Sequence, residues 1–569
     1  MVTVGGKGEP FVNHLSRYCT FEVFPSVAAP SAQQAAAITN QIAAHNTVIV
    51  YIDRTNHNPS RNFGLSQSAV HLAESLAKNK EVILVHMGSP YALEKLSDPE
   101  RFAAIVIGYQ DEPDLARAAA GALMGATPIT GTLPVSIGSD FPVHYGMKIA
   151  EAVRLHYTSP LEFGYPADAF ALVDSIAFDG MAKRAYPGAQ ILVAKNGHVI
   201  FDKAFGSHTY DEQNEVKPTD LYDLASITKI AATTISLMRL DDLGKFDLDA
   251  PLHHYLPELD SLGPYFSLQP RRMLAHVAGL KPWVPFFNST MSKGRLRADI
   301  YSSEASAAYP VAVAHKMFAT KFIADSIMAQ LLATPLLDSH EYKYSDLGYF
   351  FLRNVIERIT HTRIDTFTTQ TFYAPLGLTT MGYLPLDRFP LDRLTPTEYD
   401  RSFRNQLVHG YVHDPAAAML GGLGGHAGLF SNARDLAVLM QMLINQGTYG
   451  GERYLSKRVI EEYTRCQFCK DENDKNRRGA GFDKPVMPPG PGPTCKCVTF
   501  DSFGHSGFTG TLVWADPVEN IVFVFLSNRV YPTAENNRLA RMNIRTNIQT
   551  EIYRVLAPEN IRDTADLGN

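Results

Sequence analysis

Short apolar runs separated by helical patterns make the first legible region of the chain. Val48-Ile49-Val50-Tyr51-Ile52 is a continuous apolar run of strand length, Val70 to Lys78 has helical spacing, and Val82-Ile83-Leu84-Val85 is a second run. A helix near Ala92, a third run from Ala103 to Ile107 and a helix from Asp114 to Met124 follow. Buried strands alternating with helices predict a parallel α/β sandwich over residues 41–140. Ahead of it, residues 1–40 show little pattern beyond the Pro- and Ala-containing stretch Pro25 to Ala35 and read as an arm or linker.

The pattern changes after Gly138. Pro142, Gly146, Pro160, Gly164 and Pro166 mark a connection over residues 141–168. Ala171 to Arg184 then reads as a helix, and Gly188 to Ala194 and Val199 to Phe201 read as a hairpin around Asn196-Gly197, a dipeptide suited to tight turns. Late strands are predicted at Gly510 to Ala515 and Ile521 to Leu526, and a closing helix runs through Ile544, Ile548, Ile552 and Val555. Residues 169–558 therefore read as an α+β domain whose central antiparallel sheet is built from both chain ends and flanked by helices. Residues 559–569 are a tail. The chain as a whole is multidomain.

Composition narrows the function. With 569 residues, 45% hydrophobic and 19% charged, the chain has the make-up of a globular protein able to bury large cores. A formal charge of -6 gives no reason to expect nucleic acid or an anionic membrane as partner. No apolar run reaches the roughly 18 residues of a membrane span, and Met1 to Pro10 lacks the regions of a signal peptide. As it stands the chain is expected in the cytoplasm; removal of an export signal would place it in the periplasm or cell envelope. Its partners are expected to be small molecules or muropeptides, and its oligomeric state stays open.

The candidate chemistry centres on Ser226-Ile227-Thr228-Lys229. Ile227, Ile230, Ala231, Ile235 and Met238 recur at helical spacing until Gly244, which puts Ser226 near the first turn of an amphipathic helix. Unpaired N–H groups and the positive end of the dipole there favour a developing alkoxide. Lys229 lies one turn on and can reach back to the hydroxyl, so the tetrad is a candidate nucleophile and base. Tyr344-Ser345-Asp346 precedes a helical run through Leu347, Phe350, Phe351 and Ile359, and His505-Ser506-Gly507 opens a strand-like segment continuing through Thr511 to Trp514.

S-x-x-K, then Y-x-[N/D], then [K/H]-[T/S]-G before a late strand resembles the serine β-lactamase and penicillin-binding protein superfamily, in its class C and esterase-like branch. Leu274 to Leu280 resembles that branch's L-x-H-x-x-G-L segment and Gly425 to Ser431 its glycine-rich stretch. The resemblance implies a serine hydrolase without a cofactor. Ser226 would form an acyl-enzyme, Lys229 and Tyr344 would move its proton, and the N–H groups of Ser226 and Phe508 would hold the oxyanion. His505 and Ser506 would orient Tyr344 and the substrate. Asp346, Ser506, Gly507 and Trp283 are the candidate substrate-binding residues. Two departures bear on substrate: Asp346 stands where the family's β-lactamases usually carry Asn, and His505 where they usually carry Lys. Both weaken attraction for a substrate carboxylate.

Gly121 to Ser136 resembles the end of the C-terminal α/β domain of glycoside hydrolase family 3. That family's nucleophile sits on a preceding barrel for which the first 40 residues leave no room, so glycosidase activity is not expected. The company of the two domains resembles fusions associated with peptidoglycan turnover. The favoured activity is therefore an amidase or esterase acting on peptidoglycan-derived fragments, like N-acetylmuramyl-L-alanine amidases. The alternatives are a β-lactamase or promiscuous carboxylesterase, and a muropeptide or penicillin sensor that acylates without turnover.

Two further stretches stay open. Trp283, in Lys281 to Phe287, is either packed in a core or a wall of the cleft. Cys466, Cys469, Cys495 and Cys497 are compatible with a structural zinc, with disulfides or with free thiols.

Overall fold

The computed structural model describes residues 1–261, 263–339, 341–469, 476–486 and 492–561. The chain divides into two compact units, Met1–Tyr157 and Thr158–Asn569. In the first, β1 (Val2–Val4), β2 (Phe24–Ser26), β3 (Thr47–Ile52), β4 (Glu81–His86) and β5 (Ala104–Ile107) form one parallel sheet in the order β2-β1-β3-β4-β5. Val48, Val50, Val82 and Leu84 pack with Leu72 and Leu76 of the helix Gln67–Ala77. Tyr51 and Val85 face the other way, against Phe11, Leu15 and Ala120. The sheet is thus buried on both faces, as the continuous apolar runs require.

The expected arm over residues 1–40 is a correction. Val2 and Val4 are fully buried, and β1 lies between β2 and β3, pairing Val2 with Val50. A strand of three residues shows no periodicity of its own, and its parallel partner lies far along the chain. The expected connection is also shorter than read, because residues 141–157 group with the first unit.

The sheet of the second unit carries, in order, Phe503–Ser506, Leu512–Asp516, Ile521–Ser527, Gly188–Lys195 and His198–Gly206, each antiparallel to the next. Asn196 and Gly197 both take positive φ, the turn the dipeptide predicts. Ile191, Val193, Trp514, Phe523 and Phe525 face the helices Ala171–Ala182 and Ile544–Leu556 through Val173, Ala177, Ile548 and Ile552. Gln190, on the opposite face, accepts the Ala433 N–H at the start of the helix Ala433–Ile444, at 2.9 Å. Sequence-distant halves of the chain therefore close one sheet. Among the described residues no helix is long and apolar enough to cross a membrane.

Cys466 is bonded to Cys469, and Cys495 to Cys497. Of the readings left open for these four cysteines, the structure has the disulfides, and thiols bonded in this way are not available to a structural zinc. Among the described residues no group of His, Cys, Asp or Glu could hold a metal. Within the Pro- and Gly-rich excursion Pro488 to Pro493, residues 488–491 lie outside the described residues, as do residues 562–569 of the expected tail.

Candidate active site

Ser226 sits at a break in an otherwise buried helical segment. A single tight turn, Ala225–Ile227, leads into a wider-wound stretch, Lys229–Thr234, and then the regular helix Ile235–Asp242. The expected amphipathic helix is instead buried all round from Ile227 to Met238, so its apolar positions report the domain core and not one face. Ala225 takes φ of 46°, a conformation disfavoured for a residue with a Cβ, and its N–H is held by Asp223 Oδ1 at 2.8 Å. Strain of this kind persists where surroundings over-determine the backbone. Here it presents Ser226, which is partly accessible among buried neighbours.

Lys229 Nζ donates to Ser226 Oγ at 2.8 Å, and Tyr344 Oη lies 3.0 Å from the same oxygen. The three groups predicted from the motifs are therefore in direct contact, although Tyr344 is 118 residues away. Lys229 is fully buried and pairs with Asp346 Oδ1 at 2.7 Å. It also donates to the His426 carbonyl at 3.3 Å, which is how the glycine-rich stretch enters the site. Burial works against the ammonium, but Asp346 and then Tyr344 outweigh it and hold the Lys229 pKa above its ordinary value. Burial also raises Tyr344, with Lys229 and Arg478 pulling it down and Asp346 pushing it up.

The Lys229–Asp346 pair gives a pH-dependent prediction. A lysine whose pKa is raised on folding contributes stability that is fully present below its unfolded value of about 10.4 and lost as pH rises through the folded one. In Asp346→Asn the largest attraction is gone and burial, opposed only by Tyr344, lowers the Lys229 pKa, so the variant's deficit is largest at neutral pH and shrinks toward about pH 10. Thermal unfolding of both proteins from pH 7 to 10 checks this: the gap between their midpoints narrows as pH rises.

Tyr344 is positioned from behind. His276 Nδ1 accepts the Ser345 N–H at 3.1 Å, and its ring lies 4.5 Å from that of Tyr344. Burial and then Arg478 and Lys229 keep His276 well below the ordinary histidine range. The Lys281 and Pro282 carbonyls accept Ser345 Oγ at 2.6 Å and the Asp346 N–H at 3.2 Å, tying the aromatic loop to the tyrosine segment. In that loop Phe286 is buried whereas Trp283 is 48% exposed and adjoins Phe287, so Trp283 is not core packing.

His505 and Ser506 close the edge strand Phe503–Ser506; they do not open the next one. The chain turns at once, with the Gly507 N–H donating to the Thr511 carbonyl at 2.8 Å. The apolar run that follows belongs to the returning strand, which the sequence pattern merged with the motif. Thr509 Oγ1 and Thr511 Oγ1 donate to the Asp223 and Leu224 carbonyls, at 2.7 and 3.2 Å, fastening this turn to the nucleophile. A Cβ on Gly507 would overlap Thr511 Oγ1 and lie 2.5 Å from the Leu224 carbonyl oxygen. Gly507→Ala is therefore expected to push the turn off the nucleophile and lower kcat about 100-fold, as misplacements near 1 Å do. Ester turnover beside an unchanged far-ultraviolet circular dichroism spectrum measures it.

Phe508 is 54% exposed, its ring stacked on His413 at 5.5 Å with the Arg529 guanidinium 4.6 Å away. His505 is buried. Its Nδ1 meets the Ser506 carbonyl at 2.7 Å, so that nitrogen carries the hydrogen, and its Nε2 faces Arg478 Nη1 at 3.2 Å. Burial and then Arg478 and Lys229 hold its pKa well below the ordinary range. It is a neutral imidazole at pH 7.

A family model described as β-lactamase matches residues 173–545. The chain belongs to the β-lactamase family. It is a serine hydrolase of the β-lactamase and penicillin-binding protein superfamily. A "Putative D-alanyl-D-alanine carboxypeptidase" from Salmonella gallinarum (strain 287/91 / NCTC 13346) is 30% identical over 416 residues, which span 66% of this chain and 89% of that protein. Its counterpart from Salmonella enteritidis PT4 (strain P125109) is 29% identical over the same shares. Among solved structures, "EstCE1, a hydrolase with promiscuous acyltransferase activity" aligns with a TM-score of 0.50 at 18% identity, over 68% of this chain and 99% of that one. That likeness is one of fold alone.

Proposed function

We propose that this β-lactamase family enzyme is an amidohydrolase or esterase that acylates Ser226 and acts on peptidoglycan-derived fragments, cleaving the amide between a muramyl lactyl group and L-alanine. The observation that supports it most is the contact of Ser226 Oγ with both Lys229 and Tyr344 in a site whose motif histidine is neutral. Because Asp346 keeps Lys229 cationic, the proton acceptor is Tyr344 in its minor phenolate form, which burial disfavours and the ammonium 5.1 Å from its ring favours. Ser226 Oγ bonds to the acyl carbon as its proton passes to Tyr344. The proton then goes to the departing nitrogen, and Tyr344 next draws a proton from the water that releases the acyl group. The N–H groups of Ser226 and Phe508 receive the oxyanion. Trp283 and Phe508 form apolar walls at the mouth.

A neutral His505 offers no charge to a carboxylate beside the scissile bond, which favours an internal amide over a C-terminal peptide bond or a penicillin. A second reading, D-alanyl-D-alanine carboxypeptidase, has the name of the curated relatives in its favour. β-Lactamase or general carboxylesterase activity and a non-turnover sensor are further alternatives within the same fold. The first unit is read as a family 3 C-terminal-like sandwich with a structural or substrate-positioning role. Incubation with a muramyl-L-alanyl peptide, a peptide ending in D-alanyl-D-alanine, a p-nitrophenyl ester and a chromogenic cephalosporin separates these readings. Release of the alanyl peptide, lost in Ser226→Ala, is expected; release of D-alanine alone would replace the amidase reading.

A further inference from the structure

The residue Lys expected at the third motif is missing, yet the site does not lack a cation at that place. Arg478 reaches it from a separate stretch of chain. Asp483 pairs through its backbone with Gly504 in both directions, N–H to carbonyl at 2.8 and 3.0 Å, so the segment lies alongside the edge strand Phe503–Ser506 that carries His505. Arg478 pairs in turn with Asp483 as an isolated bridge, which brings its side chain behind the motif. The Arg478 side chain is buried, 3% exposed. Its Nε and Nη2 donate to Tyr342 Oη at 3.3 and 3.1 Å, and its Nη1 donates to His505 Nε2 at 3.2 Å. The guanidinium carbon lies 5.2 Å from the centre of the Tyr344 ring. A carboxylate of Asp483 stands 3.6 Å behind it and also pairs with Arg477.

We propose that Arg478 is a positioning residue for the hydrolase reaction: it locks His505 in the single tautomer whose Nε2 accepts, and it supplies the positive field behind Tyr344 that a motif lysine would otherwise supply. Geometry assigns the role. It touches the Tyr344 ring itself and His505, whose ring lies 6.1 Å from that of Tyr344, and its own burial leaves no face for a substrate anion. The other charged or titratable groups facing Tyr344 are Lys229, Asp346, His276, His505 and Tyr349. Of these only Lys229 shares the sign of Arg478, and its charge is offset by Asp346 at 2.7 Å. Burial opposes the charge on Arg478, but Asp483 and then Tyr342 and Tyr344 outweigh it and keep the guanidinium protonated.

The inference rests on Ser226 chemistry but not on the muropeptide, so its test uses neutral p-nitrophenyl acetate, with Ser226→Ala as the control for that chemistry. Loss of a cation beside a buried acid raises the pKa of that acid. Arg478→Met is therefore expected to lower kcat/KM at pH 7 about tenfold through kcat, with KM within about twofold, and to move the acidic limb of the pH profile up by about one unit. Arg478→Lys restores most of that limb. Asp483→Asn removes the offsetting carboxylate and has the opposite sign: the limb moves to lower pH and kcat/KM at pH 7 rises. A gain of this kind is not produced by structural damage, and it decides the matter if Arg478→Met does not fold. An Asp483→Asn enzyme with an unmoved limb, or an Arg478→Met enzyme altered in KM alone, would overturn the proposal. Wild-type activity that survives Ser226→Ala would instead sink the hydrolase assignment to Ser226.

Discussion

Ser226→Ala is expected to leave a folded protein whose ester and amide turnover falls by about 10⁴-fold or more, the scale on which loss of a nucleophile acts in serine hydrolases. The side chain lost is small and partly accessible, so packing changes little. Its oxygen is the shared partner of Lys229 and Tyr344. Lys229 remains paired in the variant, with Asp346 and the His426 carbonyl, so the buried cation stays in place. Thermal unfolding within a few degrees of wild type, beside a kcat at background, is the expected combination. A variant equally inactive but largely unfolded would mean that the Oγ contacts hold the helix break in place.

Lys229→Met is expected to fail in both respects. The ammonium is fully buried and faces Asp346 at 2.7 Å, so its removal leaves a carboxylate that is only about one-fifth exposed without its charge partner. Breaking a buried pair from one side costs roughly 3 kcal/mol, because the remaining charge keeps its desolvation penalty. Activity falls as well, since Tyr344 loses the cation that stabilises its phenolate. Combining Lys229→Met with Asp346→Asn separates the two effects. The double variant is expected to recover most of the unfolding midpoint and none of the activity, which denaturant titration and ester assays read together. Recovery of activity would contradict the role given to Lys229.

The three motifs were legible because each is local and each needs a particular chemistry within a few residues: a hydroxyl one turn from an amine, a tyrosine before a helix, a glycine where Gly507 meets the Leu224 carbonyl. The late strands and the Asn196-Gly197 hairpin were legible for the same reason. Nothing in the motifs around Ser226, Tyr344 and His505 points to Arg478, since its position depends on the pairing of Asp483 with Gly504 along a sheet edge. The sense of His505 was likewise hidden. Its neutrality follows from the Ser506 carbonyl on one nitrogen and a guanidinium on the other, and only folding brings those together. β1 escaped notice because a three-residue strand borrows its register from β3, 48 residues away in Cα partner numbering between Val2 and Val50. The turn after Gly507 was read as one continuous strand, because apolar content alone does not show where a hairpin reverses.

The central claim is that hydrolysis runs through an ester on Ser226. Rapid mixing with p-nitrophenyl acetate, acid quenching and mass measurement of the intact protein and its peptides address it most directly. The account predicts an added acetyl mass on the peptide containing Ser226 that forms before, and decays with, steady-state turnover, and that is absent from Ser226→Ala. Product release with no adduct on that peptide, at a rate Ser226→Ala retains, would contradict it.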